Sequence, residues 1–338
     1  MFIRAVQMIN IFISLFVFNF IVLIFIKKII STYDIFDLPD SYRKIHKKKI
    51  SKIGGLIIFL NLTFYLLFSL ANNILLDLGG KSFDLNFIII LGSFIFFLMG
   101  YLDDKYELTA NTKMFLQIIF LLIIINLDNF LILQDIRLSI FKTEISLGNF
   151  SIIFTVFCFL LFINALNMFD GINLQVGLYC LIVFSFLFIK TFDEIFIFLF
   201  FGVIIFLLLN LLKISFLGNS GAYFLGFLIS ALSIKFYNMN IVTVEEIVIF
   251  MLIPGLDMLR LALFRMANKK HLFLSDTNHI HHLLLFKYNL FVAILVTQSL
   301  ILLPIILGIV TNHQYYFSTI IITTLIYVGI VYLLVYKK

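Results

Sequence analysis

Residues 86–105 read NFIIILGSFIFFLMGYLDDK: an apolar run from Asn86 to Leu102, almost all Phe, Ile and Leu, empties directly into Asp103, Asp104 and Lys105. About 20 such residues wound into a helix cross roughly 30 Å of hydrocarbon. A carboxylate at the centre of that helix costs about 2.5–3.5 kcal/mol on an insertion scale, so paired carboxylates belong at its foot, where water, protein or a cation can meet them. The rest of the chain repeats the pattern. Of 338 residues, 63% are hydrophobic and only 12% charged, with a mean hydropathy of +1.15, which excludes a soluble domain with a polar shell.

Apolar runs fall at 6–26, 54–76, 86–102, 113–127, 150–166, 172–190, 195–212, 221–236, 245–262, 289–310 and 317–335. The short alternating strands of a membrane barrel are missing from the pattern. The expected fold is all-α, a polytopic transmembrane helical bundle of about eleven spans forming one integral membrane unit over 1–338. The first run is too long for a signal segment and lacks a small-x-small cleavage site, so it is kept as a span. Cys158 and Cys180 lie inside apolar runs, where neither a disulfide nor a metal role is expected. With no Trp, Tyr must serve the membrane interfaces.

Alternate connections share a side, and their basic residues are unequal. Of the 24 Lys and Arg, eighteen fall in 27–53, 103–112, 167–171, 213–220, 263–288 and the C-terminal tail, counting the boundary residues Lys113 and Arg260. Positive charge is retained on the cytoplasmic side, so these loops are expected inside and the N-terminus outside. Asp103-Asp104, Asn164–Asn173, Phe216–Gly226 and the His-rich 271–282 then all face the cytoplasm, which permits one shared site. The densely basic loop with Arg43, Lys44, His46 and Lys52 fits lipid headgroups or a surface that gathers phosphorylated ligands. On the other side, Gln134–Ser139 and Glu144–Ser146 flank a polar turn and suggest a short hairpin.

Adjacent carboxylates repel, and a hard divalent cation relieves the repulsion while also taking phosphate oxygens. Asn164, Asn167 and Asp170, three residues apart, share a helix face, with Gly171 and Asn173 following. Interhelical hydrogen bonding is the plainer use of such amides. Around Asn219 and Ser220, glycines expose backbone N–H groups at a helix start, which favours phosphate or simply a tight turn. His279, His281 and His282 have no neighbouring Cys and no His-Glu-x-x-His pattern, so zinc is not expected. Beside Arg265 they suit hydrogen bonds to a nucleotide sugar or its diphosphate.

Together these stretches, spanning about 37–285, resemble the polyprenyl-phosphate N-acetylhexosamine-1-phosphate transferase family, glycosyltransferase family 4. The resemblance rests on Asp103-Asp104 with Lys113 after it, on Asn164, Asn167, Asp170 and Gly171, on Arg43, Lys44, His46, Gly54 and Gly55, and on His279, His281 and His282. That last cluster is similar to the branch handling N-acetylglucosamine phosphate, not muramoyl pentapeptide. The resemblance implies Mg²⁺ or Mn²⁺, a UDP-N-acetylhexosamine donor, an undecaprenyl or other polyprenyl phosphate acceptor, release of UMP, and a bacterial inner (plasma) membrane location. It assigns catalysis to Asp103, Asp104 and Asp170, metal binding to these and Asn219, and substrate binding to Lys113, Asn164, Asn167, Asn173, Arg265, His279, His281 and His282. Membrane lipid and a homodimer are the further partners; no nucleic acid is expected. Asn219 and Ala222 stand where the family has Asp and Ser, and Thr277 where Arg is common; Asn219 removes one negative charge from the metal site. The alternatives are a transporter or flippase of lipid-linked sugars, marked by mid-membrane charges or broken helices, and a non-catalytic relative.

Overall fold

The computed structural model describes residues 2–39, 48–71, 82–139, 142–269, 277–311 and 315–336. Arg43, Lys44, His46, His271, Asp276 and the end of the second apolar run, 72–76, lie outside the described residues. In chain order the elements are α1 (Phe2–Ile24), α2 (Ile26–Tyr33), β1 (Phe36–Asp37), β2 (Ile50–Ser51), α3 (Gly54–Ala71), α4 (Ser82–Tyr106), α5 (Ala110–Leu127), β3 (Asp135–Leu138) and β4 (Thr143–Ser146). They continue as α6 (Ser151–Phe169), α7 (Gln175–Thr191), α8 (Ile195–Leu211), α9 (Gly218–Asn238), α10 (Val244–Ala267), α11 (Ile280–Lys287), α12 (Leu290–Val310) and α13 (Tyr316–Tyr336). The chain is a multi-pass membrane protein: among the described residues eight helices are long and apolar enough to cross a bilayer, or nine if α1 and α2, bent by 63° at Phe25, act as one. The apolar runs at 172–190 and 195–212 form α7 and α8, shorter apolar helices of 17 residues each.

The bundle is built around α9. From Ser220 to Tyr237 every residue of this helix is buried, and it packs chiefly against α4, α6 and α3. Its sequence explains the position. Lipid is as apolar as Leu, so helices associate in a membrane by close backbone approach and polar bonds, and α9 carries Gly221, Ala222, Gly226, Ser230, Ala231 and Ser233. A Cβ on Gly55 of α3 would lie 2.3 Å from the Gly221 nitrogen, so only glycine lets these two backbones meet. Aromatic rings fill the remaining space, as where Phe96 of α4 stacks on Phe227 of α9 with ring centres 4.8 Å apart. Away from the hub, α1 is pinned to α3 by reciprocal amide bonds between Asn19 and Asn61, at 2.8 and 3.0 Å.

Two small sheets complete the molecule. The expected hairpin is present: β3 and β4 are antiparallel, pairing Asp135 with Ser146 and Leu138 with Thr143. It is tied to the end of α9 by the Arg137 N–H, which donates to the Tyr237 hydroxyl oxygen at 2.7 Å. The antiparallel pair β1–β2 closes the first basic loop, and Ser51 bridges on to Ser215 just before α9.

Several helix ends differ from the sequence reading. Asp103 and Asp104 were expected in a connection beginning at 103, but α4 continues to Tyr106 and α5 begins at Ala110. The two carboxylates therefore occupy the last turn of a helix. Asn219 was expected before a span and lies in the first turn of α9. In each case tertiary partners accommodate polar groups that hydropathy alone would push out of the helix.

Candidate active site

Consecutive residues on a helix diverge by about 100°, so Asp103 and Asp104 address different partners. The Asp103 side chain has 1% of its surface exposed and faces α5 and α9. Its Oδ2 lies 2.8 Å from the Lys113 Nζ and accepts from the Tyr223 hydroxyl at 3.0 Å, while its Oδ1 accepts from the Leu108 N–H at 3.0 Å. Asp104 turns toward α3 and the start of α9. Its Oδ1 is 3.2 Å from the Lys52 Nζ, and its Oδ2 accepts from the Ser220 N–H at 3.0 Å. The expected phosphate-favouring N–H groups at the start of α9 are thus engaged, at least at Ser220, by this carboxylate, as the positive end of a helix favours. Gly218, at φ +76°, makes room: a Cβ there would lie 2.7 Å from Asp104 Oδ2.

Asp170 caps the C-terminus of α6, its N–H donating to the Leu166 carbonyl oxygen at 3.1 Å. Its surface remains partly accessible, yet protein surrounds the carboxyl closely. Desolvation, aided by the negative charge of Asp104 and opposed by Lys52, pushes its pKa up to about 7. The third acidic residue therefore shares the electrostatic environment of the second. One turn earlier Asn167 is also partly exposed, as is Asn173 beyond the helix. Asn164 makes the interhelical bond anticipated for it, donating to Gln117 Oε1 of α5 at 2.9 Å and also to the Leu160 carbonyl oxygen at 2.8 Å.

The histidines approach from the other side. Gly171 is in direct contact with His281: a Cβ on Gly171 would lie 1.8 Å from the imidazole Nε2. His281 is fully buried, with Nδ1 3.5 Å from Gln175 Nε2. Burial, then the neighbouring His282 and His279, pushes its pKa well below the ordinary value and keeps it neutral. His279 precedes α11, stacks on His281 with ring centres 5.3 Å apart, and holds Asp257 Oδ2 at 2.8 Å through Nδ1. The His282 ring is 4.4 Å from that of His281. Arg265, in the last turn of α10, is 2% exposed.

Lys52, Tyr223, Gln117, Gln175 and Asp257 were not picked out as site residues from sequence. Lys52 carried a signal, an ammonium two residues before Gly54-Gly55, but it was submerged in a basic loop. Asp257 stood in view as an acidic residue within an apolar run.

Among the described residues no three His, Cys, Asp or Glu gather into an all-protein metal cage. Asp104 and Asp170, whose charges repel, fit a different donor set: one or two carboxylates completed by oxygens of a phosphorylated ligand, as hard Mg²⁺ or Mn²⁺ takes. Asn219, one residue before the Ser220 N–H bonded to Asp104, can add a neutral oxygen.

Residues 86–237 match the model of glycosyl transferase family 4. The chain is 28% identical over 303 residues, 88% of its length and 89% of the relative's, to the undecaprenyl-phosphate alpha-N-acetylglucosaminyl 1-phosphate transferase of Thermotoga maritima. It is 27% identical over 279 residues, 77% of its length and 72% of the relative's, to the probable undecaprenyl-phosphate N-acetylglucosaminyl 1-phosphate transferase of Bacillus subtilis. A relative from Yersinia pestis with the same name as the Thermotoga protein is 27% identical over 290 residues, 81% of this chain and 75% of the relative. The family resemblance carried by the sequence motifs thus recurs across most of the chain.

Proposed function

We propose that this chain, similar to glycosyl transferase family 4 and its undecaprenyl-phosphate-dependent relatives, transfers an N-acetylhexosamine 1-phosphate, foremost GlcNAc-1-phosphate, from a UDP-sugar to undecaprenyl or another polyprenyl phosphate. UMP is released, and the product starts a lipid-linked cell-surface glycan. The observation that carries the reading is the convergence at one end of the bundle of Asp103 with Lys113, Asp104 with Lys52, and Asp170 within the field of Asp104.

The chemical problem is a phosphate anion approaching a diphosphate. An oxygen of the lipid phosphate forms a bond to the β-phosphorus while the bond from that phosphorus to the oxygen retained by UMP breaks. Lys52 and Lys113 keep 22% and 28% of their side-chain surface exposed, so each ammonium can turn toward phosphate oxygens without abandoning its carboxylate. Asp104 and Asp170, with Asn219 alongside, would hold Mg²⁺ or Mn²⁺, which would supply neutralisation of the donor's phosphate charge. Without a cation the Asp170 carboxyl ionises at about 7, so below that pH cation binding there displaces a proton. Asp103, locked between Lys113 and Tyr223, orients the lysine. The excess of basic residues in alternate connections supports a cytoplasmic orientation for this end of the bundle, and the location proposed for the chain is a bacterial plasma membrane.

The test uses membranes containing the protein, UDP-GlcNAc, undecaprenyl phosphate and Mg²⁺. Asp103→Asn, Asp104→Asn and Asp170→Asn should each abolish UMP release while the protein still inserts. Full activity in all three removes them from the reaction. A panel of purified UDP-sugars then selects the donor.

A further inference from the structure

Asp257 lies outside the acidic group just described, yet it is 2% exposed and accepts four hydrogen bonds. Its Oδ2 lies 2.8 Å from the His279 Nδ1. Its Oδ1 accepts from Arg260 Nη2 at 2.8 Å, the Ile280 N–H at 3.1 Å and the Tyr327 hydroxyl at 2.8 Å. Arg260 also donates through Nη2 to the Asn278 carbonyl oxygen at 2.6 Å and through Nε to the Tyr327 hydroxyl oxygen at 3.0 Å. One carboxylate in α10 thereby fastens the start of α11 and the middle of α13 to a single point.

The bond to His279 has a chemical consequence. An ionised carboxylate only accepts, so the proton between the two groups sits on Nδ1, and the unbound ring nitrogen, Nε2, is left as the functional atom. In that tautomer Nε2 carries the lone pair and accepts from a hydroxyl or N–H of a ligand. The ring lies parallel to His281, at 4°, and His281 rests on Gly171, the residue after Asp170. An error in the His279 ring plane is thus passed to the acidic site through two packed contacts. The charged and titratable groups around His279 are Asp257 and Arg260 of α10, His281 and His282 of α11, and Tyr327 of α13.

We propose that Asp257 is a positioning residue for the transfer reaction: through its hydrogen bond to Nδ1 it fixes the tautomer and plane of His279, so that Nε2 accepts from a hydroxyl or N–H of the donor nucleotide sugar, and Tyr327 of α13 holds the carboxylate in place. The inference rests on the transferase reading above. A residue that only stabilised the bundle would lower the melting temperature and the amount of active protein, leaving the kinetic constants of the folded fraction unchanged.

The experiment measures UMP release by purified full-length protein for Asp257→Asn, Tyr327→Phe, His279→Gln and the two double variants containing His279→Gln, normalised to folded protein by size-exclusion chromatography. Asp257→Asn should lower kcat at least tenfold with less than a twofold change in KM for the lipid phosphate, and Tyr327→Phe should lower kcat about threefold. In the His279→Gln background each substitution should cost less than a further twofold, because its route of action is already gone. If Asp257→Asn does not fold, Tyr327→Phe carries the same comparison. An active wild type whose variants lose activity multiplicatively with His279→Gln overturns this inference alone. Failure of the wild type to release UMP from any UDP-sugar overturns the transferase reading and this inference with it.

Discussion

Replacing Asp170 by Asn should make the protein more stable and inactive at once. The carboxyl lies just past the end of α6, its ionisation moved from the ordinary 3.8 to about 7 by burial first and the charge of Asp104 second, with Lys52 opposing. In the unfolded chain the group ionises near 3.8; in the folded protein it does not ionise until about 7. Between those values the folded state therefore holds the extra proton, stability falls as pH rises, and above pH 7 the loss is complete. A displacement of this size corresponds to at most about 4 kcal/mol. Because the side chain keeps some contact with solvent, about 2 kcal/mol is the figure to test. Asp170→Asn should recover that amount at pH 8 and almost none at pH 4, a rise in melting temperature of roughly 3 °C at the higher pH. With no Trp to report unfolding, the reaction of a thiol dye with buried Cys180 and part-buried Cys158 provides the signal. The measurement is made in detergent with EDTA, from pH 4 to 8. Adding Mg²⁺ should then raise the wild type alone and narrow the gap. A variant that melts no higher than wild type at pH 8, or a gap that does not vary with pH, refutes the reasoning.

Asn219→Asp restores a negative charge beside the Ser220 N–H that Asp104 engages, and the Mg²⁺ concentration for half-maximal UMP release should drop severalfold with kcat equal or higher; a collapse of activity would show that the amide has acquired a different job. Gly171→Ala drives a methyl group to within 1.8 Å of His281 Nε2. The ring or the loop must move, so a loss of about 1–3 kcal/mol in stability and at least a tenfold fall in kcat are expected, and near-wild-type kinetics would disconnect His281 from the reaction.

The helical architecture was legible because about eleven apolar runs, several of them short, leave few other solutions, and the hairpin because polar turn residues separate its two strands. Helix ends were not. Hydropathy stops α4 at Leu102, yet Lys52, Lys113, Tyr223 and the Ser220 N–H together satisfy two carboxylates one turn further on. All four partners are distant in sequence, so no local pattern announces them. The sharp bend at Phe25 lacked a proline or glycine signal, and the two-residue pairing of Phe36–Asp37 with Ile50–Ser51 is too short to show an alternating pattern. Among the site residues, Asp103, Asp104 and Asp170 stood out by charge within apolar sequence. Asp257 had the same signature; its significance emerged only when His279, Arg260 and Tyr327 were found around it.

The wholly enclosed α9 also bears on how the chain can be made. It is the least apolar of the eight long helices, so of all of them it gains least from dissolving alone in lipid. The neighbours that wrap it most closely, α3, α4 and α6, have all left the ribosome by the time it emerges. Order of synthesis thus matches order of packing: the earlier segments supply the faces, Gly55 among them, against which the helix bearing the Ser220 end of the site lies.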